Sequence, residues 1–496
     1  MKGIMIHGTA SNVGKSFITT GFCRIFSDLG YKTAPFKSQN MSNNSYVTFD
    51  GKEIGRAQGI QAEAARTEAT VYMNPILLKP RNDTHSEVVL FGKSYDTFSG
   101  QDYRNDFYEK GLSVIQTALN ELSNEYDLLV VEGAGSPVEV NLKDRDLVNM
   151  KVAELMDVPV ILVTDIERGG VFASIVGTLA LLEPHERKRV KGVIINKFRG
   201  DISLFQSGVE WIEKQTGIKV LGVLPYLDDH QIDGEDSLSI RTKVLNDHFL
   251  DIAVIRHPYI SNFTDVEPFL FEEDVAIRWV DHVDQLGHPD AVIIPGTRST
   301  IHDLQTIKKR ELDQALVQYV QNGGTVVGIC GGYQMLSEKL LDPYGADSGV
   351  HGPETEGIGL LPVQTIFFNE KKTKRIKGMT HPTVTIAGYE IHTGITQKMR
   401  EDERFSPFLF DENGQAADGW IREDGAVIGT YVHHLFHNDE WRTFWLNQLR
   451  RKKGLPEQKT LLITAKKDKQ YDRLADHIRT YVNIDEIVKL ATGKEG

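Results

Sequence analysis

The sequence predicts an α/β protein of two successive units, each a mostly parallel sheet covered by helices on both faces. Three observations predict it. Short apolar, β-branched runs alternate with helix-length segments along the chain, and strands buried on both faces of a parallel sheet have that continuous apolar character. The first run leads into a glycine loop closing on Gly14-Lys15-Ser16. A later run, residues 325–329, ends in Cys330 set among glycines. A chain of 496 residues is also longer than one hydrophobic core supports, so two units are expected.

Charge and cysteine content narrow the classes. Lysine plus arginine number 56 and aspartate plus glutamate 69, a net charge of −13. That balance argues against nucleic acid or an anionic membrane as the main partner. Two cysteines far apart, Cys23 and Cys330, exclude a disulfide framework and fit a reducing compartment. The chain enters a strand pattern within its first seven residues, which leaves no room for a signal peptide. No apolar run approaches the roughly 18 residues of a spanning helix. The expectation is a soluble cytoplasmic protein, with room for a homo-oligomer.

In chain order, residues 3–7 form a short buried strand. The loop Gly8-Thr9-Ala-Ser-Asn-Val-Gly14-Lys15-Ser16 follows, then an apolar helix over 17–29 that contains Cys23 as core. Strand, glycine loop, Lys-Ser and helix make a phosphate-binding loop. Its N–H groups and helix end cradle phosphates, Lys15 neutralises them and Ser16 can ligate Mg²⁺. The first glycine stands one residue earlier than the common pattern, with Thr9 in its place; this variant resembles the loop of dethiobiotin synthetase and related ATP-users.

Lys37, Gln39 and Asn40 follow the next strand in an amide-rich loop, and Lys79 and Arg81 flank a proline-pinned segment. They are candidate substrate contacts, as is Arg168 in the loop after a later strand. Strands over 126–131 and 159–164 end in Glu132 and Asp165, where a carboxylate beside a phosphate loop can hold Mg²⁺. A further strand ends at Asn196, a candidate reader of the adenine edge by resemblance to the same ATP-users.

The pattern fades through the acidic stretch 228–236 and returns at residue 251, so the units are expected at 1–240 and 250–450. A helical tail, 451–496, is expected to pack on the second. Gly328-Ile-Cys330-Gly331-Gly332 is a thiol nucleophile elbow: the turn leaves no space for neighbouring Cβ atoms, and the helix behind it favours a thiolate. Gly331, and Gly296 at the end of an adjacent strand, are candidate oxyanion donors. A thiol in an elbow needs a base, and the run Gly429-Thr430-Tyr431-Val-His433-His434 supplies His433. A further polar cluster, Gly388-Tyr389-Glu390 through His392, is expected near the substrate pocket of the thiol or at the boundary between the units.

Together these motifs resemble one family, the cobyric acid synthases, glutamine-dependent amidotransferases of cobalamin biosynthesis. The resemblance runs through nearly the whole chain. It implies a dethiobiotin synthetase-like domain followed by a class I glutamine amidotransferase-like domain of flavodoxin-like fold. It implies that Cys330 and His433 release ammonia from glutamine. It implies that ATP and Mg²⁺, held by Thr9, Gly14, Lys15, Ser16, Asn196, Glu132 and Asp165, activate carboxylates b, d, e and g of adenosylcobyrinic acid a,c-diamide. The same chemistry on cobyrinic acid or a cell-wall precursor stays open, as does an ATPase switch with a degenerate amidotransferase domain. Two departures stand out. His434 replaces a glycine of the family motif, where it could crowd the pocket mouth. Leu435 stands where triad glutaminases carry a glutamate, so nothing near His433 in sequence orients it, and a low resting glutaminase activity is expected.

Overall fold

The structure, a computed structural model, describes residues 2–80, 84–228, 249–352, 354–380 and 383–493. It comprises two units, Met1–Ser237 with Ala465–Gly496, and Leu238–Thr464.

In the first unit, strands β1 (Gly3–Gly8), β2 (Thr33–Phe36), β3 (Leu128–Glu132), β4 (Val160–Asp165), β5 (Val190–Phe198) and β6 (Lys219–Pro225) form a sheet in the order β6-β5-β4-β1-β3-β2. Every pairing is parallel. Strand β1 is buried throughout, and its pleat sends Met5 into one core and Ile4 and Ile6 into another, as a sheet covered on both faces requires. The chain leaves β1 through the glycine loop into helix α1 (Lys15–Asp28). Strands β3 and β4 flank β1, so Glu132 and Asp165 end on either side of the loop, at the crevice where doubly wound sheets bind ligands. A smaller sheet of Gln39–Met41, Ile76–Pro80, His85–Leu90 and Lys93–Ser99 adjoins this region.

The tail corrects an expectation. From Ala465 onward it belongs to the first unit, not the second. The reason is an apolar stripe, Tyr471, Leu474, Ala475 and Ile478, that shares a core with Ile18, Phe22 and Cys23 of α1. Gly21 of α1 admits it: a Cβ there would lie 2.2 Å from Ile478 Cδ1. Arg24, fully buried, donates to Asp468 at 2.5 Å and Asp472 at 2.8 Å, so the buried cation has its counter-charges on the tail.

The second unit holds β7 (Leu250–Ile255), β8 (Val275–Val280), β9 (Ala291–Ile294), β10 (Val326–Ile329), β11 (Val363–Met379), β12 (Thr385–Lys398) and β13 (Val427–Thr430). Five of them run parallel in the order β8-β7-β9-β10-β13. That is the flavodoxin-like order 2-1-3-4-5. Beyond β13 the sheet continues through antiparallel pairings. Strands β10 and β13 are neighbours, with Ile329 opposite Thr430, so the segments carrying Cys330 and His433 leave adjacent strand ends. Among the described residues no helix is long and apolar enough to cross a membrane.

Candidate active site

Cys330 caps the short helix Gly331–Met335 with φ 54° and ψ −111°, a backbone conformation that costs a non-glycine residue of order 1–3 kcal/mol and recurs at functional sites. The turn is closed by contact: a Cβ on Gly332 would lie 2.0 Å from the Ile294 carbonyl oxygen. Only glycine fits there. The Cβ position of Gly296 lies 3.1 Å from His433 Cε1 and 3.5 Å from Cys330 Cβ, so both expected partners flank one point. Strand β12 closes the other side. The Ile391 carbonyl accepts from Cys330 Sγ at 3.5 Å, and the Tyr389 ring stacks on His433 at 5.2 Å. The Gly388-Tyr389-Glu390 cluster therefore lies against the thiol and the imidazole.

What orients His433, left open by the sequence around Leu435, is supplied by a residue distant in the chain. His433 Nδ1 donates to Asp265 Oδ2 at 2.7 Å, both side chains fully buried. Asp265 Oδ1 accepts the His434 backbone N–H at 2.7 Å. The carboxylate comes from a 3₁₀ turn, Phe263–Phe271, entered through Asn262 in the left-handed region. The Asn262 amide nitrogen lies 3.3 Å from His433 Nε2. With Nδ1–H held by Asp265, Nε2 is the ring nitrogen left to exchange a proton with the thiol. Burial alone lowers the pKa of His433, but the Asp265 carboxylate and Cys330 outweigh it and push it up to about 10. The reasoning from Leu435 to a poorly oriented base thus loses its ground; Leu435 is a core side chain. His434 takes φ 66° and stacks on His437 at 4.2 Å, occupying a left-handed position that glycine adopts without cost.

Asp265→Asn is expected to slow glutamine hydrolysis about a hundredfold, the low end of the range for general acid–base groups because a thiol needs less help than a hydroxyl. Melts across pH check the same pair. A folded pKa raised from 6.5 to about 10 contributes stability that is complete below pH 6.5 and lost as pH rises toward 10. The variant should show a shallower loss over that window; an unchanged rate and slope would remove Asp265 from the site.

In the first unit a cavity of about 980 Å³ is lined by Gly14, Lys15, Ser16, Lys37, Glu132 and Asn196, among others. Gly14 has φ 102°, and its Cβ position lies 2.2 Å from the Asn196 amide nitrogen, which donates to the Val13 carbonyl at 2.9 Å. Asn196 is thus brought to the loop itself. Lys15 Nζ donates to the carbonyls of Ala10 and Gly135 at 3.1 and 2.9 Å. Glu132 accepts from Ser16 at 2.9 Å, Lys37 at 3.1 Å and Gln61 at 2.6 Å. A serine hydroxyl joined to a carboxylate at the mouth of a phosphate loop is a donor set of hard oxygens that fits Mg²⁺. Asp165 is placed differently: it accepts from Lys197 at 2.9 Å and the Glu167 N–H at 2.8 Å, and does not line the cavity. Among the described residues no three His, Cys, Asp or Glu converge on a metal-sized site. Thr9 hydrogen-bonds Thr164 at 3.1 Å and also lies off the cavity wall.

Gln39, Asn40 and Arg168 line the cavity with Lys37. Gln39 accepts from the Tyr103 hydroxyl at 2.6 Å and Asn40 donates to Gln58 at 3.2 Å. Lys79 does not join them. It is buried in the smaller sheet, bonded to Glu53 and to Ser45 at 2.7 Å, because a buried ammonium requires a counter-charge. Arg81 lies outside the described residues. Sequence reasoning missed Asp265 and Gln61; Asp265 shares the apolar stretch 263–271 with a second acid, Glu267, so nothing local singles it out.

Residues 4–238 match the family model for the CobQ/CobB/MinD/ParA nucleotide binding domain, and 251–441 match that for the CobB/CobQ-like glutamine amidotransferase domain. Three curated relatives, each called cobyric acid synthase, align over almost the full length. The protein of Geobacillus kaustophilus is 51% identical, covering 98% of this chain and 97% of its own. That of Synechocystis is 45% identical over 99% and 98%, and that of Clostridium acetobutylicum 43% identical over 100% of both.

Proposed function

This chain belongs to the cobyric acid synthase family, and on that premise we propose that it amidates carboxylates b, d, e and g of adenosylcobyrinic acid a,c-diamide, using glutamine and ATP. The observation that supports this reading best is the buried line Asp265–His433–Cys330 beside an elbow turn, in a chain that also carries a phosphate-loop cavity.

The glutamine half proceeds by thiol attack. Cys330 Sγ adds to the side-chain amide carbon, and the oxyanion forms toward the Gly331 and Gly296 N–H groups. His433 delivers a proton to the departing nitrogen, which leaves as ammonia. Water then attacks the thioester, His433 takes its proton, and glutamate departs with the thiol restored. Asp265 holds Nδ1–H throughout and stabilises the imidazolium.

In the other half, a substrate carboxylate attacks the γ-phosphorus of ATP and ADP leaves. Ammonia displaces phosphate from the acyl phosphate to give the amide. Activation is needed because a carboxylate at neutral pH is a poor acyl donor to ammonia. Lys15 and Lys37 neutralise charge on the transferring phosphoryl group, and the loop N–H groups hold the β-phosphate side. Bound Mg²⁺, held by Ser16 with Glu132, would supply charge stabilisation to the phosphates.

Mass spectrometry after turnover with ATP, Mg²⁺ and glutamine tests the assignment. Adenosylcobyrinic acid a,c-diamide should gain four amides. A protein that instead adds two to cobyrinic acid, or leaves corrinoids untouched, would refute it.

A further inference from the structure

The cavity is at the upper end of what a single drug-sized ligand fills, yet the phosphate loop lines only part of it. Its other charged groups are nearly all engaged. Asp146 accepts three backbone N–H groups, from Val148, Asn149 and Lys151. Glu167 is bonded to Arg199, Arg104 to Asp144, and Lys197 to Asp165; Glu139 is exposed on the same wall.

Arg145 differs. Its Nη1 donates to the backbone carbonyls of Arg104 and Asn105 at 2.7 and 2.6 Å, and among the described residues no carboxylate pairs with it. Two neutral acceptors fix the guanidinium without cancelling its charge. They belong to the helix Gly100–Asp106, which follows the smaller sheet, so Arg145 is anchored apart from the phosphate loop. Two large apolar side chains line the same cavity while remaining exposed, Met41 at 56% and Leu142 at 51%. A fixed, uncompensated cation next to open apolar surface is the complement of a flat macrocycle edged with carboxylates.

We propose that Arg145, with Met41 and Leu142, is the seat of the polycarboxylate macrocycle: Arg145 binds a carboxylate that is not the one being activated, and the two apolar side chains cover a ring face. This rests on the corrinoid reading given above. Arg145→Gln removes the charge while keeping a polar amide at the position. Leu142→Glu places a negative charge on the apolar part.

The test is titration of each variant with adenosylcobyrinic acid a,c-diamide, followed by the corrinoid's visible absorbance without ATP or glutamine, together with the KM for ATP. Each variant should bind the corrinoid roughly tenfold or more weakly, the order expected for one charge-assisted hydrogen bond, with the KM for ATP unchanged. Wild-type affinity in Arg145→Gln would overturn the proposal. So would equal losses for corrinoid and ATP, which would make Arg145 a nucleotide contact. A wild-type protein that binds and amidates no corrinoid would refute the functional reading itself, and is distinguished by failing before any variant is compared.

Discussion

Cys330→Ala is expected to abolish amidation with glutamine and to leave amidation with ammonium salts near the wild-type rate. On the proposed mechanism the thiol forms the acyl intermediate, with Asp265 and His433 as its proton-transfer partners. The phosphate loop and its cavity lie wholly within the first unit, so carboxylate activation does not require the thiol. Loss of packing does not confound the result, because alanine at a 5% exposed position removes one sulfur and leaves the strained turn in place. Rates measured with both nitrogen sources check the expectation. Equal loss with both, in a folded variant, would mean that the two half-reactions are not separable.

Lys15→Ala is expected to give the reciprocal pattern. Phosphoryl transfer is catalysed almost wholly by position and charge, and deleting one oxyanion-type donor already costs roughly a hundredfold to a thousandfold. Removing a full cation from the loop should cost about a thousandfold or more, whichever nitrogen source is supplied. Glutamate release should survive, since Cys330 and His433 lie in the other unit, and it doubles as the folding control. Ammonium-dependent amidation that persists at saturating ATP would show that the loop is not where the carboxylate is activated.

What the sequence shows and what it hides follow from distance along the chain. The phosphate loop and the elbow are local: the residues that do the work are those that set the turn, so glycine spacing displays both. The mostly parallel sheets followed from alternating runs for the same reason, whereas the flavodoxin-like fold of the second unit came with the family resemblance. Asp265 stands 168 positions from His433, and no local pattern marks an acid whose partner arrives from another strand end. The third residue does not stand beside Leu435 along the chain; the fold brings it in from the turn Phe263–Phe271. The tail was misplaced similarly. Its apolar stripe was visible, but its match to Gly21 and Arg24, more than 400 positions away, was not. Lys79 is a candidate ligand contact by sequence because a lysine near a strand end can serve either a ligand or a buried carboxylate, and Glu53, on a separate two-stranded sheet, decides which.

On the proposed mechanism one chain joins a thiol glutaminase to carboxylate activation through an acyl phosphate. Product stoichiometry tests it most directly: ADP, glutamate and new amide counted together during turnover with ATP, glutamine and the corrinoid diamide. One ADP and one glutamate are expected for every amide formed, with no AMP. AMP in place of ADP, or amide formed without ATP consumption, would contradict it.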